Sequence, residues 1–206
     1  MISPMVRWAI AFAACVALVM LSVVFIDRPV AIFFRDLELP ERRIGLVLDT
    51  LLLLPALGAA ALCMAAFRTW RGIAVPSWLA LFSRAGLGCL CAFAINDFAL
   101  KPLFGRYTVG QFMTFPHRYG FVPFGGNLLS GFPSGHAALV VGFLGVCWMA
   151  KPHLRFVWCS IIAVVLLALL AAGWHFVSDE LAGVFVGAAS AYAIAAVWDR
   201  QAVPHQ

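Results

Sequence analysis

The chain has 206 residues, of which 64% are hydrophobic and only 11% are charged. One soluble core of this size cannot bury so much apolar surface, so we expect part of the chain to face lipid. The net charge of +5 suits loops that face anionic lipid headgroups. No basic tract alternates with aromatic residues, which argues against binding of nucleic acid.

Apolar runs set the fold class, because a membrane-spanning helix needs about 20 predominantly apolar residues. The sequence contains six such runs, at residues 5–26, 44–67, 78–95, 137–150, 156–173 and 181–198. We therefore predict an all-α polytopic membrane protein, with residues 1–206 forming one domain of six transmembrane helices and an active site at one membrane face. The first run is too long for a signal peptide and lacks a small-residue cleavage site, so we expect a retained span.

Residues 30–39, after the first run, combine Phe33 and Phe34 with charges at Arg35, Asp36 and Glu38. This pattern is typical of a short amphipathic helix in the membrane interface. A polar connector explains it equally well.

The interiors of the runs contain little polar chemistry. All six cysteines lie there without the spacing of metal-ligand pairs, so we interpret them as small buried hydrophobes and predict neither a disulfide framework nor a metal site. Arg84 and Asp49 are the only charges well inside runs, too few for the polar path of a transporter subunit.

A first polar cluster follows the third run and contains Lys101 and Arg106. Two cations so close to lipid are costly unless an anion pairs with them, and a phosphate group would be such an anion. Snorkelling of the two side chains, or an i,i+4 pair between Asp97 and Lys101, is the alternative explanation.

A second cluster, Phe-Pro-Ser-Gly-His at 132–136, precedes the fourth run. Ser134 near a cap position and the adjacent Gly135 indicate a helix start, whose free N–H groups can bind phosphate. A plain helix start with an interfacial His136 fits as well.

A third cluster precedes the sixth run, where His175 and Asp179 are four residues apart. On a helix, the carboxylate can accept a hydrogen bond from one imidazole nitrogen and leave the other free to act as base or nucleophile. A simple His–Asp capping pair is the alternative. Because all three clusters lie at span ends on one membrane face, together they favour covalent phosphoryl transfer without a metal.

The order and spacing of these clusters resemble the type 2 phosphatidic acid phosphatase superfamily, whose signature is a Lys/Arg motif, then Pro-Ser-Gly-His, then a His followed four residues later by Asp. Residues 132–138 and 175–183 are close matches to the second and third motifs. The resemblance implies a membrane phosphatase that removes phosphate from a lipid through a phosphohistidine intermediate, with no cofactor.

The resemblance also implies a role for each candidate residue. His175 would attack phosphorus while Asp179 holds its ring. His136 would protonate the leaving lipid oxygen and then activate water. The phosphoryl oxygens would be held by Lys101, Arg106, Ser134 and Gly135.

Two arginines of the usual motifs are absent. The first motif usually has Arg-Pro where this chain has Thr108 and Val109, and the third usually has Ser-Arg where it has Ala168 and Leu169. Arg118, in the long loop, could compensate by reaching into the substrate site. If nothing compensates, the chain would be a degenerate member that binds lipid phosphates or another membrane protein.

The substrate class follows from the resemblance alone. Candidates are phosphatidic acid, phosphatidylglycerol phosphate, undecaprenyl diphosphate and the phosphates of lipid A, with a polyprenyl or glycerolipid phosphate preferred. Aromatic residues within 112–129 could form an interfacial lid over the headgroup or a packed structural loop. They are Phe112, Phe115, Tyr119, Phe121 and Phe124.

The distribution of Lys and Arg near the span ends barely separates the two membrane faces. We place the face with the polar clusters in the periplasm, in a bacterial inner membrane, with both termini in the cytoplasm.

Overall fold

The computed structural model describes residues 3–125 and 129–201, with side chains described as far as Trp198. In these residues, five helices are long and apolar enough to cross a membrane. They are α1 (Pro4–Asp36), α2 (Glu41–Trp70), α3 (Ser77–Phe104), α6 (Pro152–Ala171) and α7 (Val177–Gln201). Two shorter helices, α4 (Val109–Thr114) and α5 (Gly135–Ala150), lie between α3 and α6 in the chain. The described part is therefore an all-helical integral membrane protein.

Helix α5 corresponds to the fourth predicted span but has only 16 residues. At about 1.5 Å per residue it is about 24 Å long, less than the hydrocarbon layer of about 30 Å. It packs against α3, α6 and α7, and ten of its residues are buried. Because other helices surround it, α5 need not match the lipid thickness by itself. Five spans are supported, and the sixth stays a prediction.

Helix α1 extends beyond its apolar run. We expected the helix to end with the apolar run at residue 26. Instead it continues through a π-helical turn, Ser22–Ile26, into Asp27–Asp36. Most of the segment 30–39 is thus the last part of α1, rather than a separate interfacial helix or a connector. The chain turns just afterwards, where Glu38 has a φ of +48°.

Glycines allow the helices that carry the polar clusters to approach closely. A Cβ on Gly86 of α3 would lie 2.4 Å from the Cα of Gly58 in α2. A Cβ on Gly183 of α7 would lie 2.5 Å from the carbonyl oxygen of Ser134, directly before α5. A side chain at Gly86 would push α2 and α3 apart, and one at Gly183 would push α7 away from the start of α5.

The interior residues singled out from the sequence have different environments. Cys89 and Cys147 are buried in the core cluster, as predicted, whereas Cys63 and Cys159 are exposed on helix surfaces, so the prediction of buried cysteines was wrong for them. Arg84 lies with its guanidinium 4.6 Å from the centroid of the Trp198 ring.

Candidate active site

Three helix ends meet around the start of α5. The Ser134 N–H donates to the carbonyl of Asp179 at 2.9 Å, which joins the start of α5 to α7. The side-chain amide of Asn96, near the end of α3, donates to the carbonyl of Pro133 at 3.2 Å. The three polar clusters of the sequence are therefore neighbours in the fold.

The start of α5 is a helix N-terminus with a cation beside it. Ser134 Oγ accepts an N–H of the first turn at 3.3 Å. A Cβ on Gly135 would lie 3.2 Å from Lys101 Nζ and 3.5 Å from Asn96 Nδ2, so the lack of a side chain lets both groups approach the helix start. Free N–H groups, an ammonium and an amide converge here, a combination suited to phosphoryl oxygens.

Lys101 also forms the i,i+4 ion pair with Asp97 that the spacing allowed. Its ammonium therefore lies between a carboxylate and the helix start, and its side chain is 21% exposed. Pairing with Asp97 and binding of phosphate are compatible roles for Lys101, because an ammonium has three donors and can bind a second anion.

Two histidines face each other beside this helix start, with the ring centroids of His136 and His175 6.4 Å apart. A phosphorus atom reacts from about 3–3.5 Å, and its leaving oxygen must be about 2.6–3.2 Å from the acid. The two rings are therefore close enough to contact the same phosphoryl group. The Nε2 atom of His136 is buried without a hydrogen-bond partner, which is uncommon for a buried polar atom and marks a place where a ligand can bind.

The backbone orients His175. Its Nδ1 lies 3.1 Å from the carbonyl oxygen of Gly131, whereas Oδ2 of Asp179 is 3.7 Å away. That Oδ2 accepts the N–H of Phe176 at 2.8 Å instead. Donation from Nδ1 to Gly131 leaves Nε2 free to attack, but the expected direct His–Asp hydrogen bond is replaced by a longer electrostatic contact.

Arg106 is fully buried and bound to two carboxylates. Its Nη2 lies 2.7 Å from Asp27, and its Nη1 binds Asp179 and, at 2.6 Å, Ser178 Oγ. Burial disfavours the charged guanidinium, but Asp179 and Asp27 outweigh that effect, so the pKa of Arg106 lies above its usual value. Both terminal nitrogens contact carboxylates, so Arg106 supports Asp179 in this structure, where the sequence had led us to expect a phosphate.

Arg118 is exposed, and its guanidinium lies 4.4 Å from the centroid of the Phe115 ring. Nearby, the ring centroids of Phe112 and Tyr119 lie 5.9 Å and 5.4 Å from that of Phe176, which makes this part of the loop a packed aromatic cluster. The other end of the proposed lid is only partly described, because residues 126–128 lie outside the described residues.

The positions of the two absent arginines have structural roles. Thr108 caps α4, its Oγ1 accepting the N–H of Gln111 at 3.3 Å. Leu169 is fully buried in a cluster with Leu48 and Ala172. A helix cap and apolar packing therefore occupy the two positions at which the usual motifs have arginine.

Sequence reasoning missed Asp27, Ser178, Asn96 and Trp174. Asp27 is fully buried at the π-helical turn of α1. A carboxylate next to an apolar run must have a partner if it is buried, and this was the available signal. Trp174, whose ring centroid lies 5.2 Å from that of His136, offered no signal beyond its place beside His175.

Residues 76–202, more than half of the chain, match the family model of the PAP2 superfamily. The chain therefore belongs to this superfamily, which confirms the resemblance seen in the motifs. Its members are phosphatases, which supports a phosphoric ester hydrolase. Helices α1 and α2 lie outside the match. Comparisons with curated proteins and with solved structures found no match.

Proposed function

We propose that this protein hydrolyses a lipid phosphomonoester or diphosphate through a phosphohistidine intermediate, without a metal ion. The observation that carries the proposal is the pair of histidines, His136 and His175, with ring centroids 6.4 Å apart. The start of α5 and the ammonium of Lys101 lie beside this pair, where they would hold the phosphoryl oxygens.

In the first step, the Nε2 lone pair of His175 attacks phosphorus while the bond from phosphorus to the lipid oxygen breaks. The negative charge of the bound phosphate stabilises the imidazolium form of His136, which donates its proton to the leaving oxygen. Lys101, the Gly135 N–H and the Ser134 hydroxyl would bind the oxygens on which charge develops. The products of this step are phosphohistidine and the lipid alcohol, or the lipid monophosphate if the substrate is a diphosphate.

In the second step, His136 accepts a proton from water, which attacks phosphorus and breaks the N–P bond. Phosphate leaves, and His175 returns to its neutral form. Asp179, 3.7 Å from His175 Nδ1, would stabilise the positive charge that the ring carries while phosphorylated.

Two of the carboxylates near the site already have cationic partners, which favours a mechanism without a metal. Asp97 pairs with Lys101, and Asp179 pairs with Arg106. A divalent ion would have to displace these cations to obtain its oxygen ligands.

An apolar cavity of about 630 Å³ between α1, α3 and α7 would hold the hydrocarbon part of the substrate. Phe132 and Pro133, directly before Ser134, form part of its wall, although neither histidine lines it. A chain in this cavity would place its headgroup beside the start of α5. Ala189→Leu, at the cavity wall, should raise KM for long-chain substrates and leave short-chain substrates unaffected.

The test is phosphate release from a panel of glycerolipid, polyprenyl and lipid A phosphates in EDTA, with His175→Ala alongside. Release by the wild type alone would support the proposal and rank the substrates. Release by both proteins would point to a contaminating phosphatase, and release by neither would contradict the proposal.

A second candidate function follows from the structural roles of Thr108 and Leu169 at the positions of the absent arginines. A site with fewer guanidinium groups could bind lipid phosphates without hydrolysing them. This candidate predicts saturable binding of lipid phosphates that requires Lys101, combined with no phosphate release by the wild type.

We further propose that the site faces the periplasm, in a bacterial inner membrane. A fluorescent protein that matures only in the cytoplasm should then fluoresce when fused to the C-terminus. A dark but full-length fusion would place the site on the opposite face.

A further inference from the structure

Asp27 is the centre of a buried hydrogen-bond network. Its Oδ1 accepts the hydroxyl of Ser22 and the backbone N–H of Ser178, each at 2.9 Å. Its Oδ2 accepts Arg106 Nη2 at 2.7 Å and the Ser178 hydroxyl. The Tyr119 hydroxyl lies 3.4 Å from Oδ2 but donates its proton to the closer carbonyl oxygen of Val23. A carboxylate with this many donors is fixed in position.

The guanidinium of Arg106 connects Asp27 to Asp179. One terminal nitrogen binds the carboxylate from α1 and the other binds the carboxylate from α7. Aromatic rings surround the guanidinium, with the centroids of Phe121 and Phe176 4.9 Å and 4.6 Å from its central carbon. Little solvent can screen these charges, so their balance affects their neighbours strongly.

Two carboxylates share one guanidinium, which leaves one net negative charge in the network. Its neighbours are Arg28, over the Tyr119 ring at 4.2 Å, and His175, 3.7 Å from Asp179. Glu180 lies next to Asp179 on α7. If Asp27 were neutral, Arg106 would cancel the charge of Asp179, and the positive charge that forms on His175 would lose its nearest counter-charge.

We propose that Asp27 is a positioning residue for His175: it binds Arg106 from α1, so that the carboxylate of Asp179 stays fixed and retains a net negative charge beside the nucleophile. The inference rests on the proposed phosphatase function and extends it to a helix outside the family match, which covers residues 76–202. The first span then contributes to catalysis as well as to anchoring.

A purely structural ion pair would also hold α1 against α7, so the test must separate charge balance from stability. Three variants do this: Asp27→Asn, Arg106→Gln and the double variant. The remaining network has no net charge in Asp27→Asn, two negative charges in Arg106→Gln, and one negative charge, as in the wild type, in the double variant. Charge balance therefore predicts that the double variant is more active than either single variant, whereas lost ion pairing predicts that it is no better than the worse one.

We expect Asp27→Asn to lower kcat by about 10- to 100-fold, the range seen when partners behind a functional histidine are removed in metal sites. KM should change by less than about threefold, because Asp27 is fully buried and would not touch the substrate. Asp36→Asn, on the same helix but exposed, is the matched control and should behave as the wild type. Asp27→Glu should recover part of the lost rate because it keeps the charge.

A second measurement needs no turnover: the rate at which diethyl pyrocarbonate modifies His175, followed by mass spectrometry at mildly alkaline pH. The rate should fall in Asp27→Asn and recover in the double variant.

If the wild type hydrolyses no lipid phosphate, the proposed function fails and this reactivity decides the inference on Asp27. If Asp27→Asn does not fold, the comparison of Arg106→Gln with the double variant decides it. Wild-type kcat and reactivity in Asp27→Asn, or a double variant below both single variants, would overturn the proposal.

Discussion

The pair of histidines and the Asp27–Arg106–Asp179 network differ in how completely their polar atoms are bonded. At the histidines, the Nε2 of His136 has no partner, and the ammonium of Lys101 lies close to Gly135 at the start of α5. In the network, Asp27, Arg106 and Asp179 are fully buried, both carboxylates accept hydrogen bonds at each of their oxygens, and both terminal nitrogens of Arg106 are bonded, although Arg106 Nε has no partner among the described residues.

The contrast distinguishes groups that bind a ligand from groups that position other groups. A polar atom left without a partner at a partly open helix start is available to a substrate. A buried carboxylate whose two oxygens both accept hydrogen bonds is held in place, and it fixes its neighbours and their electrostatics. The predictions below test this division, from the largest expected effect to the smallest.

Replacement of His175 by Ala should have the largest effect. It removes the atom that we propose to attack phosphorus, and loss of a catalytic nucleophile lowers kcat by at least about 10⁴-fold in well-studied hydrolases. The rate of phosphate release from the best substrate measures this fall in kcat. Substantial residual activity would mean that another group attacks phosphorus.

Replacement of His136 by Ala should lower kcat by about 10²–10⁴-fold, the usual contribution of a general acid or base. The loss in the first step should be smaller for a substrate such as p-nitrophenyl phosphate, whose leaving group needs no proton. Single-turnover rates with the two kinds of substrate measure the difference. An equal loss for both would assign His136 to phosphate binding instead of proton transfer.

Replacement of Lys101 by Met should lower kcat by about 10²–10³-fold, as expected for one donor to the charge of the transition state. Lys151→Met is the matched control, because this exposed lysine lies at the opposite end of α5. Steady-state kinetics on both variants provide the measurement. Equal activity of the two variants would show that Lys101 serves only its ion pair with Asp97.

Replacement of Tyr119 by Phe tests the network through stability at high pH. Burial, followed by the charge of Asp27, raises the pKa of Tyr119 to about 12. Because the folded-state pKa exceeds that of the unfolded phenol, this stabilisation is complete below about pH 10 and is lost as the pH rises to about 12. The difference in thermal midpoint between wild type and variant should therefore shrink across this range. A constant difference would show that the pKa of Tyr119 is not raised in the folded protein.

Removal of divalent cations should have the smallest effect. If the cations paired with Asp97 and Asp179 take the place of a metal, EDTA will leave phosphate release unchanged. Lipid phosphates bind divalent ions, so an assay with a soluble short-chain substrate separates enzyme from substrate effects. Loss of activity that Mg²⁺ restores would contradict the proposed mechanism.

The histidine site could be predicted from the sequence because each part lies within a few residues of a helix end. Ser134 caps the helix that carries His136, and the spacing of His175 and Asp179 places both at the start of α7. Local rules for caps and i,i+4 pairs suffice for such residues. They did not reveal that the carbonyl of Gly131, rather than Asp179, accepts the hydrogen bond of His175.

The buried network could not be predicted, because it depends on packing between distant parts of the chain. Asp27 and Asp179 are far apart in sequence, and only the approach of α1 to α7 brings both to Arg106. From the sequence we expected Arg106 to bind a phosphate, because a cation near lipid needs an anion. The sequence could not specify that the anions are the carboxylates of Asp27 and Asp179. The predicted run at 137–150 agrees with α5, which has 16 residues, but the sequence could not show that other helices pack around this short helix.

The most direct test of the mechanism is to trap the phosphorylated enzyme. Wild-type protein mixed with a labelled lipid phosphate and quenched in alkali should carry phosphate on His175, detected by mass spectrometry as an acid-labile, alkali-stable adduct. The adduct should be absent from His175→Ala. Phosphate release by the wild type without any adduct on His175, or with the adduct on another residue, would contradict the mechanism proposed for this site.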